Sequence, residues 1–129
     1  MFMRTVAGVG LAIALVACTT SAINNPENVS IATANGKTPT ATAVRGAIVQ
    51  AGAGLGWVMT DVKPGVLEAK LALRSHVAVV EIPYSEKSYS IVYKSSTNLN
   101  EQNGQIHKNY NGWIQNLQRD INAKVSAIN

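Results

Sequence analysis

Apolar residues change their spacing along this chain, and each change marks a new element. The first run is unbroken: after Arg4, residues Thr5 to Ala17 carry no charge. It is too short for a bilayer-spanning helix, which needs about 20 apolar residues. It has the size of the apolar core of a secretory signal. From Thr19 to Lys37 the chain is rich in Thr, Ser, Asn and Ala, with no sustained apolar period. That pattern predicts a flexible linker, spanning roughly 25 Å for about 20 residues.

A helical period follows. Thr38 is placed to act as N-cap and Pro39 to occupy the first helical position. Val44, Ala47, Ile48, Ala51 and Leu55 then fall on one helical face. Gly52, Gly54 and Gly56 predict the end of this helix.

The period then drops to two. Strands are expected over Gly56 to Val62, Val66 to Leu73, His76 to Tyr84 and Ser88 to Lys94, with turns at Lys63-Pro64-Gly65 and Ser85-Glu86-Lys87. Short alternating runs between turn residues argue for an antiparallel meander. After the polar stretch Ser95 to Asn103 the helical period returns. Ile106, Tyr110, Trp113, Ile114, Leu117, Ile121, Val125 and Ile128 form one stripe. A helix from about Gln105 to Ala127 would be roughly 35 Å long, enough to cross a small sheet. The expected fold is α+β in the order α-β-β-β-β-α, a four-stranded antiparallel sheet with two helices packed on one face.

The apolar run at the start ends in Leu15-Val16-Ala17-Cys18, which resembles the lipobox of bacterial lipoproteins. The resemblance implies cleavage before Cys18 and a diacylglycerol on its thiol. Cys18 is the one cysteine in the sequence. No intramolecular disulfide can form, and a free thiol would be a liability in an exported protein. The expected organisation is a signal peptide over 1–17, a lipidated flexible tether over 18–37 and one α+β domain over 38–129. Thr19 stands where enteric lipoproteins retained in the inner membrane carry aspartate, so the resemblance points to the outer membrane, facing the periplasm.

Composition adds little. Removing Arg4 with the leader takes the net charge from +4 to +3. The lysines are scattered and the chain carries an export signal, so nucleic-acid binding is not expected.

Further along, R-S-H-V-A at 74–78, Y-S-I-V-Y at 89–93, S-x-N-L at 96–99 and I-H-x-x-Y-N-x-W-I-x-x-L at 106–117 resemble a family of small proteobacterial lipoproteins of unknown function. The resemblance covers most of the expected domain. It implies an envelope location and this fold, and it brings no catalytic residues.

Candidate chemistry is thin. Gly52-Ala53-Gly54-Leu55-Gly56 closes a helix, whereas a phosphate-cradling loop opens one. His76 and His107 lack the further converging ligands a zinc site needs. Ser75 and His76, adjacent in a strand, point to opposite faces and cannot pair as nucleophile and base. No cofactor, metal or enzymatic activity is expected.

Two sets of residues remain. Val66, Val77, Val79 and Val92 should face away from the helices, beside Glu68, Lys70 and Glu81. Valines on an open sheet face mark a partner surface or simply suit strands. Trp57, Tyr93, Tyr110 and Trp113 pack in the core or wall a small pocket. The leading expectation is a non-catalytic module, anchored in the membrane by lipid and binding an envelope protein or cell-wall polymer. The alternative is a small-molecule or lipid-binding domain with a pocket between helices and sheet.

Overall fold

The computed structural model describes residues 19–129. The leader and Cys18 lie outside the described residues. Among the described residues the expected α+β architecture is present, with two helices and a four-stranded antiparallel sheet. The elements are β1 (Thr20–Ala22), β2 (Val29–Ser30), α1 (Ala41–Gly54), β3 (Val58–Lys63), β4 (Val66–Leu73), β5 (His76–Pro83), β6 (Ser88–Tyr89), β7 (Val92–Thr97), β8 (Gln105–His107) and α2 (Lys108–Ser126).

Helix α1 begins two residues later than expected. Thr40, not Thr38, is the cap, and its hydroxyl accepts from the Ala43 N–H at 3.0 Å. Thr40 holds the extended backbone a cap requires, which leaves Pro39 ahead of the helix. The helix ends at Gly54, and Gly56 at φ +92° turns the chain into β3. Val44, Ala47, Ile48, Ala51 and Gly52 are its buried residues. Gly52 lets the helix lie close on the sheet: a Cβ there would overlap the Met59 methyl of β3.

The main sheet has the order β3-β4-β5-β7. Leu67, Ala69 and Leu71 of β4 and Ala78, Val80 and Ile82 of β5 form its buried face. These meet Val44 and Ile48 of α1 and Tyr110, Ile114, Leu117, Ile121 and Val125 of α2 in one core. Both helices therefore cover the same face.

The fourth strand differs from expectation. The partner of β5 is Val92–Thr97, with a bulge at Lys94, because Val79 pairs with Ser95 and Val80 with Tyr93. Ser88–Tyr89 leaves the main sheet and pairs with β2 instead. A serine turn causes the departure: Ser85 Oγ accepts from the N–H groups of Lys87 and Ser88.

The largest correction concerns the expected tether. Residues 19–34 are a strap laid along the domain. Thr20, Ser21 and Ala22 pair with His107, Ile106 and Gln105. Asn25 Oδ1 then accepts from the Tyr93 N–H, and the Pro26 carbonyl from the Ile91 N–H, both at 2.8 Å. Val29 and Ser30 pair with Tyr89 and Ser88, and the Ala34 N–H donates to the Ser126 carbonyl. The strap thus runs from the start of α2 to its end. Asn25 takes the place of a backbone partner at the sheet edge, and Ile23, Val29 and Ile31 pack on the core.

The β4–β5 hairpin turns on Arg74-Ser75, and Arg74 sits at φ +58°. A side chain with a Cβ is strained there, whereas glycine is at ease. Arg74→Gly should stabilise the fold by about 0.5–1 kcal/mol, read as a higher thermal midpoint with unchanged circular dichroism.

Candidate functional site

Most of the sequence motifs meet at one end of the sheet. Asn98 follows β7 in a left-handed conformation, and its amide donates to Ser75 Oγ at 2.8 Å. The Asn98 carbonyl lies 2.8 Å from His76 Nδ1. The His76 ring also contacts Trp113, with centroids 6.3 Å apart. Leu99 is buried, and its carbonyl accepts from the His107 N–H at 2.8 Å. His107 caps α2, its Nδ1 accepting from the Asn109 N–H. Each histidine thus has a local structural partner. Among the described residues no three His, Cys, Asp or Glu side chains are grouped to hold a metal ion.

Next comes a tight hairpin. Gln102 and Gln105 exchange backbone hydrogen bonds of 2.9 and 3.0 Å around Asn103 and Gly104, both at positive φ. This is a two-residue turn of the type that Asn-Gly favours, since both central residues need left-handed backbone. It leads into β8, the strand that holds β1.

Asn111, one turn into α2, is the hub of this corner. Its Oδ1 accepts from the Asn24 N–H at 3.0 Å, and its Nδ2 donates to Ser21 Oγ at 3.0 Å and the Ala22 carbonyl at 2.8 Å. One side chain clamps three residues of the strap to the last helix. Asn111 lies off the apolar stripe of that helix, so periodicity assigns it no partner, and the expected strands and turns do not include Asn103-Gly104. The Asn-Gly dipeptide was the available signal for the turn. Nothing local marks the strap partner of Asn111.

Of the four rings considered as a pocket wall, the structure brings two together. Tyr93 and Tyr110 meet edge to face at 5.7 Å. Trp113 contacts His76 instead. Trp57 is buried just ahead of β3, at the opposite edge from Tyr93 on β7. Three strand spacings, about 14 Å, separate those edges. Trp57 and Tyr110 are core residues, 3 % and 0 % exposed. The Tyr110 hydroxyl is buried with no hydrogen-bond partner among the described residues, while that of Tyr89 donates to Asn122 Oδ1 at 2.6 Å.

The four valines do share the open face, opposite the helices. Val77 and Val79 are neighbours on β5. Val66 is set apart from them by the cross-strand row Thr60, Glu68, Glu81 and Val92. Glu68 and Glu81 are directly opposed, a repulsive pairing. Lys94 relieves it, bridging to them at 2.8 and 3.4 Å. The hydrogen bond that Lys94 donates to Glu68, reinforced by the carboxylate's charge, holds Lys94 above the usual lysine range. At the edge of the sheet Val58 is 65 % exposed. The face is therefore mixed, two small apolar areas separated by an ion cluster.

Comparison with known proteins finds no matching family model, no matching curated protein and no matching solved structure.

Two measurements probe this corner and the core behind it. Asn111→Ala should cost about 1–3 kcal/mol from lost hydrogen bonds, and hydrogen exchange should show protection falling first at Ala22 to Asn24. Burial raises the phenol pKa of both Tyr89 and Tyr110 above the ordinary value. A raised folded pKa favours the fold fully below the unfolded value, near 10. That advantage is lost as pH rises through the folded values. The phenolate absorbance of Tyr89 and Tyr110 should therefore appear together with alkaline unfolding.

Proposed function

We propose that this protein is a lipid-anchored, non-catalytic module of the bacterial cell envelope, facing the periplasm from the outer membrane. The observation that carries this reading is the Leu15-Val16-Ala17-Cys18 boundary, where an uncharged run stops at the one cysteine in the sequence. Cleavage there makes Cys18 the first residue of the mature chain, with diacylglycerol held by a thioether.

The domain supports the same reading in two ways. Among the described residues no helix is long and apolar enough to cross a membrane, so an anchor there has to come from elsewhere. Thr40, Ser85, Asn98, His107 and Asn111 are engaged in holding the helix caps, the hairpins and the strap together. The open face, with Val66, Val77, Val79 and Val92 around a Glu-Lys-Glu cluster, offers a surface of mixed character for an envelope protein or cell-wall polymer. Partner surfaces of non-obligate complexes have this mixed composition.

Cys18→Ser tests the anchor. The wild-type protein should fractionate with membranes and incorporate labelled fatty acid. The variant should lose the label and leave the membrane fraction. Retention of both by the variant would overturn the reading.

A further inference from the structure

We infer that the domain sits directly on the bilayer, with the end that carries the Asn100–Gln105 hairpin seated among the lipid headgroups. This inference rests on the lipid anchor at Cys18 proposed above.

The first observation is the length of chain between anchor and fold. Thr20 is already paired with His107, and the Thr19 carbonyl accepts from the Lys108 N–H at 3.2 Å. One residue, Thr19, separates Cys18 from the strand. The Cα atoms of residues 18 and 20 can be at most about 7 Å apart. A coil of 20 residues would let the domain wander roughly 25 Å from its lipid. The strap removes that freedom, because Asn111, Gly104 and the β7 edge hold successive strap residues. Wherever the lipid inserts, this end of the domain must follow.

A second observation is the character of the surface at that end. A shallow groove of about 550 Å³ beside Thr19 and Thr20 is lined further by Asn100, Glu101, Gln102, Asn103 and Gln105. These hydroxyls and amides suit hydrogen bonding with headgroups rather than insertion among acyl chains. The loop is tightly turned: Asn98, Asn100, Asn103 and Gly104 all hold left-handed backbone within seven residues. Arg74, on the neighbouring hairpin tied to Asn98, and Lys108 are exposed here, against one carboxylate, Glu101. The local balance favours anionic phosphate.

The opposite end is well separated. β5 runs from His76, beside the hairpin, to Pro83, ahead of the turn holding Lys87. Eight residues of strand separate the two ends by about 23 Å along β5.

The test uses the full chain, exported and purified with its lipid, in vesicles of phosphatidylethanolamine and phosphatidylglycerol containing a headgroup-nitroxide lipid. A thiol-reactive fluorophore is placed through Gln102→Cys or, in a separate protein, Lys87→Cys. Most of the fluorescence at 102 should be lost to the nitroxide and little of that at 87. Equal, weak quenching at both positions would overturn the inference, as would stronger quenching at 87. Glu101→Cys repeats the measurement if Gln102→Cys folds poorly. Wild-type protein separates the two readings. A lipidated Cys18 takes no dye and carries the acyl mass, whereas a free, labelled Cys18 would sink the anchor and the seating with it.

Discussion

Backbone groups at the start of the β7 edge have to be satisfied, and the strap satisfies them. Backbone N–H and C=O groups are obligatory hydrogen-bonding groups, and an unpaired strand edge is a template for aggregation. Here the Tyr93 and Ile91 N–H groups go to Asn25 and Pro26, and β6 pairs with β2. The strap is in turn held by α2 through Asn111 and by β8 through β1. Sheet edge, strap and last helix therefore form one mutually dependent unit. Without a disulfide, that dependence takes the place of a covalent staple.

The other edge is handled differently. β3 pairs on one side with β4 and breaks register between Asp61 and Lys63. Arg45 of α1 reaches over to make two hydrogen bonds, of 2.8 and 2.6 Å, with the Asp61 carboxylate. That pairing lowers the Asp61 pKa and raises that of Arg45, and it ties the first helix to the outermost strand. A bulge, a terminal lysine and a charged residue turned toward the helix layer are features that discourage edge-to-edge pairing. Val58 and Val62 remain exposed there, so the protection is incomplete.

What the sequence reveals follows the range over which each signal acts. The two helices and the inward residues of β4 and β5 were legible, because periodicity reports which face is buried. The α2 stripe from Tyr110 to Val125 is the clearest case, with its five inner residues all buried. The strap was not legible. Thr19 to Lys37 has the composition of a linker, yet Asn24, Asn25 and Asn28 bond to residues 60 to 90 positions away, and no local pattern encodes such partners. The fourth strand was misplaced for the same reason: β6 looks like part of a ladder, and the strap claims it. Tyr89 and Ile91 are both buried, although the backbone pairing around them differs from that of the expected fourth strand. At the candidate site the four valines were correctly assigned to one face, while the ring set was divided between two edges of the sheet.

A docked strap also changes what the open face can reach. A domain on a long coil samples a hemisphere around its anchor and can meet partners well above the membrane. A domain seated by its Asn100–Gln105 end cannot. β5 then rises from the surface at His76 to Pro83, and the open face stands to the side, with Val77 nearest the headgroups and Glu81 farther up. A partner would approach laterally, along the membrane, and within roughly 25 Å of it, the length of these strands. Confinement to that layer raises the effective concentration of any component sharing it, so a modest mixed surface suffices for association. The mixed valine and Glu-Lys-Glu face is of that kind: weakly apolar, partly charged, and suited to a partner already held close by.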